Sequence, residues 1–543
     1  MAQSGEHRQK LRECSESPAP SEGITSKTAR IQDAELCRSR IPRWAFSGLM
    51  LAGLAVLFFS LFRLPFTPVW VGFDQFGLIF GADRLWSGGS MQWGLFFPGV
   101  ETVELLFFFL FGPRNWIPNL VVVLVGVLSM WLVVIISRKV IPRSRFLALL
   151  PGALFLFVFS AKLTGEIHRW LSSAAVLGAL AVVMEKRTAR RLALGGVLCG
   201  LASFFTQTQG VFAVASLTVF LIWETAKAKS GWRNLWVSMA WLFGSFILTV
   251  IATYGYFVVK AGIGSAFYSL IYDPAVIYPL DRQHNSLHAY FAEIPRLALR
   301  DLPGLGRFLF VHSLVPFVYL VSLACWRRWG ATGEERARLL LVILVGLFLA
   351  ASVAPAPSYF RLCSVAAPAL IVLVYWLRGR GKPQQIIVAL LWIAALGAIA
   401  HHPMQVQLSR MSVLKLPRGP IAFSEQNSDD MQLLSWLTSK THPGEQFFAA
   451  GETGIFFPLA LQPADEIAGG LDNTGDTLFG DIRDSISVLE KHRIELIEWP
   501  PDSCPPEFYR PEEDHLEPLR QYVQQNYRPD RKFGDDEIWQ RKE

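Results

Sequence analysis

Apolar runs of about 20 residues recur along this chain from Trp44 to roughly His401, and short polar loops separate them. A bilayer core is about 30 Å thick and takes roughly 20 helical residues to cross, so the pattern predicts a polytopic α-helical membrane protein. Spans are expected at 44–63, 116–136, 146–162, 169–184, 192–208, 210–225, 235–259, 303–325, 339–355, 361–377 and 384–401, eleven within a range of 9–13. Val100 to Gly112 is apolar but too short to cross upright, which suits a re-entrant or interfacial segment or the start of a bent span. Residues 1–42 are rich in Ser, Glu, Lys and Arg and predict a disordered tail. No short apolar core with a small-residue cleavage site follows that tail, so the first apolar run reads as a retained anchor.

The polar loops carry a second pattern. Basic residues cluster in the N-terminal tail (Arg38, Arg40, Arg43), then at Arg138–Arg145, Lys186–Arg191, Lys227–Arg233, Arg327–Arg338 and Arg378–Lys382. These clusters fall on every second loop, and the positive-inside rule places all of them in the cytoplasm. The outward loops are then 64–115, 162–169, a tight turn at Thr206–Gly210, 260–302 and 356–361. An odd number of spans puts residues 403–543 outside as well. That tail changes character and reads as a soluble α/β domain. "DDMQLLSWLTSKT" (429–441) and "EPLRQYVQQNY" (517–527) have helical periodicity, while "EQFFAAG" (445–451) and "IELIEWP" (494–500) read as strands. The expected organisation is a cytoplasmic tail 1–42, a membrane domain 43–402 with outer loop 64–115, and an extracytoplasmic domain 403–543.

Composition narrows the classes. The chain is 52% hydrophobic and only 17% charged, whereas a soluble enzyme carries about 25% charged residues. Its net charge of +7 is spread as a topology signal and gives no basic face for nucleic acid. Six cysteines show no metal spacing and no disulfide framework. No phosphate-binding loop, dinucleotide fingerprint or Ser/His/Asp spacing supports a pump, dehydrogenase or hydrolase. The adjacent His401 and His402 do not share a helix face and mark the outer end of the last span.

The first outer loop holds the candidate chemistry. Asp74 follows the first span, and Glu101 and Glu104 precede the next. On position alone Asp74 reads as a solvated residue or a helix cap, since "FDQFGLIFGADRLW" has helical character. The length of this loop and its aromatic and Gly content point instead to function at the membrane surface. There, partial burial raises a carboxylate's proton affinity and suits it to general-base work.

"DQFGLIFGADRLWSGG" followed by "PGVE" resembles the first outer loop of the GT-C-fold membrane glycosyltransferases, which include the protein O-mannosyltransferases and the aminoarabinose transferases of lipid A. "GLASFFTQTQG" (200–210) and "PSYFRLCSVAAPALIVLVYWL" (357–377) are similar to spans of that superfamily. "TGEIHRWLS" (164–172) and "IYPLDRQHNSLHAY" (277–290) resemble outer-loop motifs of an uncharacterised bacterial branch that also ends in a small soluble domain. The sequence departs at Gln75, where the family often has a second acid, so a second carboxylate falls to Glu101, Glu104 or Glu166.

The resemblance implies a GT-C-like fold and transfer of a sugar, hexosyl or pentosyl, from a polyprenyl-phosphate donor to an envelope lipid, glycan or protein acceptor at the outer face. It implies Asp74 as base, with Glu101 or Glu166 orienting the acceptor or sharing that role. Leaving phosphate oxygens need cationic partners, and Lys162, His168, Arg169, Arg282 and Arg361 are the candidates. Arg361 equally fits an interfacial residue snorkelling to the membrane surface, and His168 and Arg169 fit solvation of their turn. Gln207 and Gln209 are candidates for sugar hydroxyls or, equally, for capping their helix end. The resemblance calls for no cofactor, and a divalent cation stays open without a motif to hold it. A transporter and a non-catalytic envelope scaffold are the alternatives. The spans are nearly free of charge, which argues against a transporter with mid-membrane ionisable groups.

Overall fold

A computed structural model describes residues 43–88, 98–141, 146–160, 167–229, 231–277, 306, 308–329, 333–354, 357–379, 381–464, 479–500 and 516–543. Helix α1 (Arg43–Leu61) leads through a two-strand turn, β1 (Phe62–Arg63) and β2 (Thr67–Pro68), into α2 (Phe73–Ser87) and α3 (Pro98–Phe111). A helical bundle follows: α4 (Ile117–Val140), α5 (Leu150–Phe159), α6 (Ile167–Val183), α7 (Ala189–Phe205), α8 (Gln207–Ala228), α9 (Trp232–Ala261), α10 (Val315–Trp329), α11 (Gly333–Val353), α12 (Tyr359–Ser364), α13 (Ala367–Trp376) and α14 (Lys382–Leu408).

The described residues of the apolar segments expected to span fall largely on helices, with 361–377 divided between α12 and α13. Among the described residues, six helices, α1, α4, α8, α9, α11 and α14, are long and apolar enough to cross a bilayer, and four more apolar helices are shorter. Their outward faces are apolar because lipid, not water, is their solvent: Trp236, Leu248, Ile251, Ile386, Leu390 and Ile393 are all exposed. Helices α7 and α9 approach through small residues. A β-carbon at Gly196 would sit 2.2 Å from the Leu242 carbonyl oxygen, so glycine sets how closely the two backbones meet. The break between α7 and α8 falls at Thr206, inside the expected turn.

The two ends of the bundle differ. At one end the basic loops converge. Lys139 pairs with Glu185 at 2.8 Å, Arg191 also reaches Glu185, and Arg187 pairs with Glu224 at 3.3 Å. Arg338 pairs with Glu334 and donates to the Lys139 carbonyl at 3.3 Å, while Arg378 and Tyr375 both reach Glu335. At the other end Gln407 fastens α14 to the exit of α1. Its Nε2 donates to the Phe62 carbonyl at 2.7 Å and its Oε1 accepts from Leu64 N–H at 3.3 Å.

Residues 411–543 form a mixed α/β segment. A hairpin, β3 (Met411–Leu416) and β4 (Gly419–Ser424), precedes α15 (Ser428–Lys440). A five-stranded sheet follows, with β5 (Gln446–Ala449), β6 (Gln462–Pro463), β7 (Leu496–Glu498), β8 (Tyr527–Phe533) and β9 (Asp536–Arg541) in the order β6-β5-β7-β9-β8. Strand β5 pairs parallel with β6 and β7, and β9 runs antiparallel to β7 and β8. Side chains alternate across it: Phe447 joins the core continuous with the bundle, and Phe448 joins a second core with Ile482, Leu489 and Leu519.

Candidate active site

The helix of the first outer loop is where the α/β segment docks. Gly454 lies against the Phe73 backbone, Thr453 lies against Gly77, and Phe456 stacks on Phe80 with centroids 4.7 Å apart. Trp70 stacks between Phe76 and Phe423 and donates its indole N–H to Asp430 at 2.6 Å. Its backbone N–H donates to the Ala422 carbonyl at 2.8 Å. Arg418, at the turn of the β3–β4 hairpin, reaches Asp83 at 2.7 Å and covers the Phe457 ring. Burial raises the Asp83 carboxyl above its usual range, and Arg418 pulls it back.

Asp74 sits in the first turn of α2. It does not cap the helix, since Gly72 occupies the cap position with φ 93° and no side-chain cap is made. The carboxylate is exposed where partial burial was expected, because the first turn of α2 turns this position away from the packed face that carries Gln75, Phe76 and Ile79. The helix dipole favours a negative charge there. Gln75 is fully buried, where a charge would be costly.

The buried carboxylates are on α3. A β-carbon at Gly81 would meet Glu101 Oε1 at 2.2 Å, so the absence of a side chain lets this carboxyl lie on α2. Asp74 and Gly81 are seven residues apart, about two turns and roughly 10 Å along one face. Burial pushes the Glu101 carboxyl up to about 8 against the pull of Arg84. Burial, then the neighbouring Glu101, drives the Glu104 carboxyl well above the usual carboxylate range. Glu101 therefore holds its proton near neutral pH.

Gly99, one turn before, packs against the Phe204 carbonyl, which brings the start of α3 to the α7–α8 break. From there a polar path crosses the bundle end. Ser173 on α6 lies 3.4 Å from Gln209 Oε1 and donates to the Ser364 carbonyl at 2.8 Å. Ser364 in turn donates to the Arg361 carbonyl at 2.7 Å. Arg361 opens α12 with 9% of its surface exposed, and His168, buried in the first turn of α6, feels the charges of both Arg361 and Arg169. Oε2 of Glu101, both oxygens of Glu104, Oγ1 of Thr206 and Nε2 of Gln209 are buried without hydrogen-bond partners. Such atoms are uncommon in native proteins and mark places where a ligand or water completes the set.

The structure thus places His168 within electrostatic reach of Arg169 and Arg361, while Gln207 opens α8 after the Thr206 break and Glu101 lies on α2 at Gly81. Lys162, Glu166 and Arg282 lie outside the described residues. Among the described residues, no group of three His, Cys, Asp or Glu is placed to hold a metal. Thr206 joins the candidates, beside Glu104 and Gln209, which the sequence already offered. The acids and amides were visible as residue types, but their burial depends on packing between segments distant in sequence.

A family model for dolichyl-phosphate-mannose-protein mannosyltransferases matches residues 98–257, from α3 through most of α9. The crystal structure of ArnT from Cupriavidus metallidurans bound to undecaprenyl phosphate superposes with a TM-score of 0.58 at 13% identity, covering 92% of this chain and 98% of that one. The fold is that of the GT-C membrane glycosyltransferases. The mycobacterial arabinofuranosyltransferase AftD aligns with 93% of this chain over 40% of its own, at 14% identity and a TM-score of 0.48. No curated protein sequence matches the chain. With its apolar helices and GT-C fold, the chain is an integral membrane protein.

Proposed function

We propose that this protein transfers a sugar from a polyprenyl-phosphate donor to an acceptor of the cell envelope, at the outer face of the membrane. The observation that carries this reading is the grouping of His168 with Arg169 and buried Arg361, in a fold whose solved member ArnT binds undecaprenyl phosphate. The end where the basic loops converge faces the cytoplasm under the positive-inside rule. The site and residues 403–543 then face outward, and the N-terminus faces inward.

The chemistry follows from the charges. The acceptor hydroxyl loses its proton to Asp74, its oxygen bonds to the anomeric carbon, and the carbon–oxygen bond to phosphate breaks. Polyprenyl phosphate leaves with that electron pair. Arg361, Arg169 and His168 hold the phosphate oxygens, with Arg suited to two-point contact. Lys162 and Arg282 are further candidates for that role. Glu101 keeps its proton near neutral pH and is better fitted to orient the acceptor through a hydrogen bond than to act as the base. Glu166 remains a candidate for the same task, and Gln207 for the sugar hydroxyls.

The test is reconstitution of the purified protein in lipid vesicles with synthetic polyprenyl-phosphate sugars and an envelope extract as acceptor. Transfer should appear with one donor class, fall by at least a hundredfold in Asp74→Asn and Arg361→Ala, and leave folding intact. Full transfer by both variants would remove these residues from the reaction.

A further inference from the structure

The α/β segment touches the site at one atomically tight point. Gly454 is buried in the turn Thr453–Ile455 that follows β5, and a β-carbon there would lie 2.3 Å from the Phe73 carbonyl oxygen, 2.6 Å from Phe73 Cα and 2.8 Å from its carbonyl carbon. That carbonyl forms the peptide bond to Asp74. The obstruction is backbone, so no rotamer change relieves it. One turn further along α2, a β-carbon at Gly77 would sit 2.6 Å from Thr453 Oγ1 but 3.7 Å from Thr453 Cβ, so there the hydroxyl alone is the obstacle. Stacking of Phe80 on Phe456, the tilted contact of Phe76 with Phe457 and the Arg418–Asp83 pair keep the two surfaces pressed together.

We propose that the turn Thr453–Ile455 is a positioning element for Asp74, with Gly454 setting where the first turn of α2 lies. This rests on the reading of Asp74 as the base. Restoring ordinary contact from 2.3 Å requires a shift of about 1 Å, and misplacement of that size can cost about a hundredfold in rate. The candidate donor-phosphate groups sit on α6 and α12 rather than on this turn, so donor affinity should be spared.

The experiment compares wild type, Gly454→Ala, Gly77→Ala, Thr453→Ala and the Gly77→Ala/Thr453→Ala pair as full-length protein in vesicles. Turnover per donor-binding site, donor KM and amide exchange of residues 73–80 are measured. Gly454→Ala should lower kcat about a hundredfold, leave donor KM within twofold, and speed exchange in the first turn of α2. Gly77→Ala should lose less, and Thr453→Ala, which removes the obstructing hydroxyl, should restore it. Normal kcat and exchange in Gly454→Ala, or a Gly77→Ala defect that Thr453→Ala does not repair, would overturn the proposal. If Gly454→Ala does not fold, the Gly77/Thr453 pair decides alone. Altered exchange with full transfer by Asp74→Asn would instead discard the base assignment and leave the contact standing.

Discussion

Removing Arg418 should detach the α/β segment from the outer-loop helix more effectively than removing its partner. Arg418 Nη2 lies 2.7 Å from Asp83 Oδ2, and the two side chains keep 14% and 12% of their surface. Arg418→Met preserves much of the stem over the Phe457 ring, at 4.2 Å from the guanidinium, but leaves a buried carboxylate without its cation. Breaking one partner of a buried pair costs about 3–5 kcal/mol, largely for the stranded charge. A loss of about 3 kcal/mol is roughly a hundredfold in the docked-to-undocked ratio. Asp83 already titrates above the usual carboxylate range, and without Arg418 it moves higher. A raised acid adds stability below its unfolded pKa and loses it as pH rises through the folded value, so the defect should grow with pH. Asp83→Asn combined with Arg418→Met should recover most of the loss. Limited proteolysis of the intact protein across pH 5 to 9, with rates compared to wild type, reads this. Equal, pH-independent losses in both singles that simply add in the double would refute the reasoning.

Three further outcomes follow from the same geometry. Glu101 titrates near 8, so the packing of α3 on α2 should weaken as pH rises through that value, and Glu101→Gln should remove the dependence in thermal unfolding followed by tryptophan fluorescence. Arg361→Ala should lower transfer by about 10²–10³-fold, the range for losing one charge-stabilising group, with Arg361→Lys recovering part of it; initial rates with a polyprenyl-phosphate sugar measure this. Gly196→Leu forces α7 off α9 and should abolish the folded protein, seen as loss of the monodisperse peak in detergent.

What could be read without coordinates was local. Apolar runs located the helices, and the basic clusters, one per alternate loop, anticipated that Lys139, Arg187, Arg338 and Arg378 would meet at one end. Strands β5 and β7, helix α15 and the helix Glu517–Asn526 fall on the segments whose periodicity predicted them. Two hairpins were overlooked although their turns carry glycine at φ 120° (Gly419) and 59° (Gly534). The site was legible by residue type more than by role. Asp74, which on position reads as solvated and on its chemistry as partly buried, is exposed, while Glu101 and Glu104 are buried because α3 lies against α2 on one side and the α7–α8 break on the other. The pairing of Asp83 with Arg418 spans 335 positions and leaves no local pattern.

The claim that this protein builds a glycosylated envelope product is tested most directly by mass spectrometry of envelope glycans, lipids and proteins. The cells compared carry the wild-type gene, no gene, or the Asp74→Asn variant expressed at wild-type level. The account predicts one sugar-bearing product missing from both the deletion and the variant, with its unglycosylated acceptor accumulating. An identical product set in all three, or a product lost from the deletion and fully restored by Asp74→Asn, would contradict it.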